Sequence, residues 1–283
     1  MQLWQWDDHE VTNNWSDSKD VSGDARYTEK NVALLTARGA RAFLENAPMR
    51  WFAQEEEQRV YRRIPYGPLL DVFVVDMRSY RGPNSGNQQS EASELTAFLG
   101  RPQLHWLLQG LRASRATWKV IAADMPLGLQ VPDGTEADGS PRFEAVANGE
   151  GGPPLGRELE LAELLRAMKQ AGVRNTIWLT ADVHYTAAHY YDPAKASFTD
   201  FDAFWEFVSG PLNAGNFGPN ALDATFGPQV VFQKVPPTPN TSPLADNQFF
   251  GEVAIDADSG DLTVTLRDVN DQSLWSKTLR AQT

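Results

Sequence analysis

At four places in this 283-residue chain an aspartate directly follows a short apolar run. Val72-Phe73-Val74-Val75 runs into Asp76, Val120-Ile121-Ala122-Ala123 into Asp124, and Ile177-Trp178-Leu179-Thr180-Ala181 into Asp182. A shorter piece, Leu3-Trp4-Gln5-Trp6, runs into Asp7 and Asp8. In open α/β sheets, ligands bind outside the carboxyl ends of the strands. Carboxylates gathered there repel one another unless a cation lies between them, so the pattern predicts a metal site. An aspartate after a strand is also an ordinary turn or cap residue, and any one of the four alone has that reading. The histidines shift the balance. There are only four, and two of them, His9 and His184, sit one or two residues beyond these acids. Asp8-His9-Glu10 and Asp182-Val183-His184 offer hard oxygen together with imidazole nitrogen, a mixture suited to Zn, Fe or Mn or, through the oxygens, Ca. His105 flanks the apolar stripe of a helix and reads as structural. His189 falls on a strand and reads as packing, or as support for a ligand, rather than as a ligand itself.

Other chemistries lack their residues. The chain has no cysteine, which excludes disulfides, thiolate zinc sites and cysteine nucleophiles. No Gly-x-Ser-x-Gly elbow, Gly-x-Gly-x-x-Gly turn or phosphate-binding P-loop pattern occurs. Asp256-Ala257-Asp258-Ser259-Gly260 faintly resembles a calcium loop but lacks the glutamate at its twelfth position, and reads as a hairpin turn. Lys and Arg number 25 and Asp and Glu 37, a formal net charge of −12. That balance argues against holding duplex nucleic acid through the overall field. No run of about 18 apolar residues is present, so no membrane span is expected. The first residues show neither the basic nor the apolar region of a signal peptide.

The elements that must carry these residues follow from periodicity. Hydrophobic residues make up 41% of the chain and charged ones 22%, an ordinary globular composition. Residues 12–29 read as a loop, and residues 31–46 as a helix with Leu34, Leu35, Phe43 and Leu44 as its apolar marks. Residues 59–63 are a candidate strand, and residues 69–75, 118–123 and 176–180 read as buried strands. Between them, Leu104, Leu107, Leu108 and Leu111, and then Leu161, Leu164, Leu165 and Met168, have helical spacing. Residues 128–156, rich in Gly, Pro and Asp, read as a long surface excursion of the kind that covers a site or moves. After about residue 190 the texture turns to strands at 204–208, 230–235, 249–255, 262–266 and 274–278. One domain over residues 1–283 is expected, with an α/β portion over 1–190 and a mainly antiparallel portion over 191–283.

Five motifs, in order, carry a resemblance. Trp6-Asp7-Asp8-His9-Glu10-Val11 with Asn13-Asn14-Trp15 resembles the central motif of the PhoD-like alkaline phosphatase family, a branch of the calcineurin-like metallophosphoesterases. Asp76-Met77-Arg78-Ser79-Tyr80-Arg81 is similar to its Asp-x-Arg-x-x-Arg element, and Leu99-Gly100 through Val120 to its helix–strand unit. Thr180-Ala181-Asp182-Val183-His184-Tyr185 and Phe204-Trp205-Glu206-Phe207-Val208-Ser209-Gly210-Pro211-Leu212 resemble its late metal motif and its C-terminal signature. The resemblance implies a two-sheet β-sandwich flanked by helices, a two-metal centre of divalent or trivalent ions (Ca, Fe, Zn or Mn), and hydrolysis of phosphate mono- or diesters. By position it implies Asp8, Asp124, Asp182 and His184 as metal ligands, His9 as the catalytic group acting on the leaving oxygen, and Arg78 as a phosphate-binding residue. It also suggests export.

The family's two earliest motifs belong on strands before Trp6, where this sequence has five residues. The chain is therefore expected to be N-terminally truncated relative to the family. The alternative that stays open is a metal-binding or structural fragment with weak or absent catalysis. A further expectation is self-association: a sheet edge at Leu3–Trp6, with Trp4, Trp6 and Trp15 nearby, would expose aromatic surface and pair with a second copy.

Overall fold

The computed structural model describes residues 2–16, 18–49 and 59–282. Their elements, in chain order, are α1 (Val32–Asn46), β1 (Arg62–Tyr66), β2 (Leu70–Val74), α2 (Arg101–Ala113), β3 (Trp118–Ala122), β4 (Pro132–Thr135), β5 (Pro141–Phe143), α3 (Glu158–Gln170), β6 (Thr176–Thr180), β7 (Thr186–Tyr191), β8 (Phe204–Val208), β9 (Pro228–Lys234), β10 (Phe249–Ile255), β11 (Leu262–Asp268) and β12 (Ser273–Leu279). Met1, at the start of the expected contact segment, and Asp17, in the expected 12–29 loop, lie outside the described residues.

The predicted buried strands become the middle of a seven-stranded sheet in the order β1-β2-β3-β6-β8-β7-β9. β2, β3, β6 and β8 run parallel, and β1, β7 and β9 are antiparallel to their neighbours. Parallel neighbours bring the carboxyl ends of β2, β3 and β6 to one side of the molecule, and the acids that follow them arrive there together. Residues 204–208 were expected among the antiparallel pieces. The strand has those limits and pairs antiparallel with β7, but it also pairs in parallel with β6, from Ile177 opposite Trp205 to Thr180 opposite Val208. Four of its five residues are buried, and a strand covered on both faces belongs in the interior of a sheet.

Each face of the large sheet has a cover. On one, the leucine stripes of α2 and α3 pack on Phe73, Ile121 and Trp178. Gly110 lets α2 come close, since a Cβ there would lie 2.7 Å from the Phe73 ring. On the other face, Val120, Ile177 and Phe207 meet Leu262, Val264 and Leu266 from the three-stranded sheet β10-β11-β12. The architecture is mixed α/β, with sheet on sheet and helices over the larger one. The 256–260 segment is the β10–β11 turn, closed by Ser259 and by the Asp258 amide on the Asp256 carboxylate. Among the described residues no helix is long and apolar enough to cross a membrane.

The N-terminal expectation needs correction. Residues 3–6 form no strand. Side chains tie them to the end of β2 and to β1: Gln5 Nε2 donates to the Val75 carbonyl at 3.2 Å, and Arg62 donates to the Trp4 carbonyl at 2.6 Å. Trp6 and Trp15 meet edge to face at 5.3 Å and are 1% and 2% exposed, because Ala40 and Phe43 of α1 close over them. Of the aromatic surface expected there, only Trp4 remains exposed, beside Leu3. The aromatic argument for self-association therefore fails at Trp6 and Trp15.

Candidate metal centre

The ends of β3 and β6 are joined just before their acids. The Ala181 amide donates to the Asp124 carbonyl at 2.8 Å. Beyond it, Asp182 and His184 both take φ of 60°, a left-handed conformation that is uncommon outside glycine and that aspartate tolerates better than most residues. The chain turns sharply there, and the Asp182 carboxylate enters the space beside residues 7 and 8. Asp8 heads a turn of its own: its carbonyl accepts from the Val11 and Thr12 amides, and its carboxylate from the Asn14 amide.

One carboxylate oxygen each from Asp7, Asp8 and Asp182 lies within 4.8 Å of the others. That span suits a single cation with oxygen bonds of about 2.0–2.6 Å. Asp8 and Asp182 thus converge as expected, and Asp7, rather than His184, is the third member. Asp124 stands alongside, 3% exposed. Its Oδ2 accepts from Arg78 at 2.6 Å, while its buried Oδ1 has no hydrogen-bond partner among the described residues. A buried carboxylate oxygen without a donor is costly unless something absent from the protein atoms meets it.

Arg78 is the counter-ion of this nest. Its side chain is fully buried and donates to Asp124, to Asp7 at 2.7 Å, to Asp182 at 3.2 Å and to Glu144. Asp76 supplies the turn that aims it: the Asp76 carboxylate accepts from the Arg78 and Ser79 amides, the Ser79 hydroxyl and the Trp6 indole. Asp76 is therefore an ordinary cap. The guanidinium expected to bind phosphate faces carboxylates on every side. Arg81, which donates to Asn84 and to the Glu144 carbonyl, is pulled down to about 10 by burial and by the like charge of Arg78.

Five carboxylates against one contacting guanidinium leave the nest short of positive charge. Burial, opposed by Arg78 and reinforced by Asp7, pushes Asp124 well above the carboxylate range. Burial and then the charges of Asp7 and Glu144 do the same for Asp182. Asp8 is raised chiefly by burial, with Arg78 opposing. A bound cation would reverse all three shifts. The donors fit one: hard oxygens dominate, as Ca or Mn prefers, with nitrogen at the periphery.

The two histidines next to these acids in sequence are placed differently. His9 is exposed, with Nε2 3.9 Å from Asp8 Oδ1. His184 Nδ1 lies 2.7 Å from the Gly215 carbonyl. This places the proton on Nδ1 and leaves the Nε2 lone pair available. His105 is exposed on α2. His189 is buried and bonded to Glu206 at 3.0 Å, away from the acids.

Two members were not singled out from sequence. Asp7 was visible in the same strand-end pattern, next to the chosen Asp8. Glu144 carried no signal, since it lies in the 128–156 excursion. That excursion folds inward at residues 143–148, which are all buried. A cavity of about 840 Å³ lies elsewhere, where β6 and β8 begin. Lys169, Arg174, Lys277 and Arg280 line it, and none of the clustered acids does.

A family model described as PhoD-like phosphatase matches residues 1–266. Alkaline phosphatase D of Bacillus subtilis (strain 168) is 30% identical over 223 residues, covering 75% of this chain and 36% of that protein. A solved structure described as "Structure of PhoD" aligns with a TM-score of 0.66 at 20% identity, covering 99% of this chain and 53% of that one. At that identity the likeness speaks for the fold. The chain thus spans roughly a third and a half of the lengths of these two relatives.

Proposed function

The chain belongs to the PhoD-like phosphatase family, and from that premise we propose that it hydrolyses phosphate esters at a metal centre built on Asp7, Asp8 and Asp182. The observation that carries the reading is the meeting of those three carboxylates within 4.8 Å, in a nest whose charge one arginine cannot balance. Asp124 Oδ1 and His184 Nε2 are the further donors, and a two-metal form of the centre draws on them. When bound, such cations polarise a phosphoryl oxygen and make water a nucleophile near neutral pH.

The chain's own groups do the rest. Asp7 and Asp182 are the less deeply buried acids, with side chains 31% and 11% exposed, so the ester approaches over them. His9, at the same rim, donates a proton toward the leaving oxygen, and the adjacent Asp8 carboxylate stabilises the imidazolium. Arg78 holds four carboxylates close together. A direct role for it on phosphate requires that it release one of them. Both monoesters and diesters are substrates in this reading.

The test is metal content and turnover on the purified chain. After chelation, reloading with Ca, Mn, Fe or Zn should give bound metal and hydrolysis of p-nitrophenyl phosphate or its bis ester, both lost in Asp8→Asn and Asp182→Asn. Hydrolysis indifferent to chelation would sink the metal reading. Bound metal without turnover would make the chain a metal-binding module.

A further inference from the structure

We propose that Glu206, in the interior of the large sheet, is a positioning residue for the acidic centre: it fixes the segment that leaves β3 and so places Asp124 and Asp182. The inference rests on the metal reading above only for one of its readouts.

Glu206 is fully buried. It stands in a row across the sheet with Ile121 and Trp178, on the face that α2 and α3 cover. Its row neighbours toward β3 are apolar, and a carboxylate among them is unfavourable unless donors surround it. Three do. The Leu127 amide donates to Oε1 at 2.8 Å, while the Tyr191 hydroxyl at 2.8 Å and His189 Nδ1 at 3.0 Å share Oε2. The next amide, Gly128, donates to the Tyr191 hydroxyl at 2.8 Å. Two consecutive amides of one segment are therefore held by one buried carboxylate and the hydroxyl bonded to it.

That segment is Asp124-Met125-Pro126-Leu127-Gly128. At its start, the Asp124 carbonyl accepts from the Ala181 amide, one residue before Asp182. At its end, Gly128 has no room for a side chain: a Cβ would lie 2.9 Å from both Pro228 Cγ and Tyr191 Oη. Between these pins only Met125 and Pro126 remain, and Pro126 has a fixed φ. A shift at Leu127 is thus passed to Asp124, and through Ala181 to Asp182. His189 serves the same end. Its Nε2 has no partner among the described residues, so its one side-chain bond is the one that orients Glu206.

The experiment compares Glu206→Ala, Glu206→Gln and Tyr191→Phe with the full chain. Trp178→Phe serves as a control in the same row, because its indole N–H has no partner among the described residues. The readouts are the hydrogen-exchange protection of the Leu127, Gly128 and Ala181 amides and the Mn²⁺ dissociation constant, measured by calorimetry on chelated protein. Glu206→Ala should lose protection at all three amides and bind Mn²⁺ about tenfold or more weakly, the usual range for groups that orient metal ligands. Tyr191→Phe should lose protection first at Gly128. Glu206→Gln keeps an acceptor for Leu127 and should recover much of both readouts, which covers the case where the alanine variant does not fold. Trp178→Phe should change neither. A folded Glu206→Ala or Tyr191→Phe with full Ala181 protection and unchanged Mn²⁺ affinity overturns the proposal. If the unaltered chain binds no Mn²⁺, the metal reading fails by itself, and loss or retention of Ala181 protection still decides the positioning claim.

Discussion

Replacing Arg78 with methionine removes the charge while keeping similar bulk. The guanidinium is fully buried and donates to Asp7, Asp124, Asp182 and Glu144, at 2.6–3.2 Å for the three aspartates. Breaking a buried ion pair by deleting one partner destabilises by about 3–5 kcal/mol, because the other charge stays buried and unpaired. Here four partners are stranded at once, so the upper part of that range applies. In a chain of this length 1 kcal/mol moves the melting temperature by about 2 °C, giving roughly 8–10 °C. The loss depends on pH in a definite direction. Arg78 lowers the pKa of Asp8, Asp124 and Asp182. Without it they rise further, take up protons and become neutral as pH falls, so the deficit shrinks toward acid. A cation supplied in excess should also shrink it, since binding at 100 times Kd contributes about 2.7 kcal/mol and fills the space left by the guanidinium. Thermal melts in chelator and in saturating Ca²⁺, at pH 5 and pH 8, read all three effects. A variant that melts within 2 °C of the parent in chelator at pH 8, or a gap that widens with Ca²⁺, would refute this account of the nest.

Three other outcomes follow from the same geometry. The raised carboxylates of Asp8, Asp124 and Asp182 make the metal-free chain lose stability as pH rises from the unfolded carboxylate value through their folded values. Glu158, pushed up to about 8 by burial and by Asp223, acts in the same direction up to about pH 8. Melts of the chelated chain between pH 5 and 9 should therefore fall with pH, and Glu158→Gln should flatten the upper part; a rise with pH contradicts the direction. His9→Ala should lower turnover of an alkyl phosphate by about 10²–10⁴-fold with metal content unchanged, and equal loss of both would make His9 a ligand instead. Gly128→Ala forces a Cβ against Pro228 and Tyr191 and should destabilise by about 1–3 kcal/mol, as overpacking does, measured by denaturant midpoint.

The parts of this fold that were legible are those where one face of an element meets one environment. The leucine stripes of α2 and α3 each look inward over their whole length, and β3 and β6 are covered on both sides, so spacing alone marks them. β8 shows the limit. Its five residues announce a strand, but nothing local says that it pairs with β6 as well as with its sequence neighbour β7, because that depends on β8 inserting between the two. Residues 3–6 show the opposite case. Their apolar pattern suits a strand, yet α1 covers Trp6, and side chains rather than a ladder tie the segment to β1 and the end of β2.

The same distinction separates the site residues that were found from those that were missed. Asp124 and Asp182 were readable because a parallel sheet delivers the ends of neighbouring strands to one place, whatever the loops do; Asp8 was marked by an apolar run that forms no strand but still reaches the same place. Glu144 and Glu206 were not, for two different reasons. Glu144 lies in a segment whose composition says only that it is irregular. Which of its acids turns inward is decided by Arg78, across 66 residues of chain. Glu206 sits inside a run otherwise made of Phe, Trp and Val, where a lone acid reads as the polar face of a strand. Its partners, Leu127, His189 and Tyr191, become neighbours only once β8 has inserted between β6 and β7. A charge whose role is fixed by topology in this way leaves no periodic trace. Its mark is a misfit, a carboxylate in a strand otherwise suited to complete burial. Buried misfits of that kind, more than exposed charge, are where the sequence of this chain points to the placement of its acidic centre.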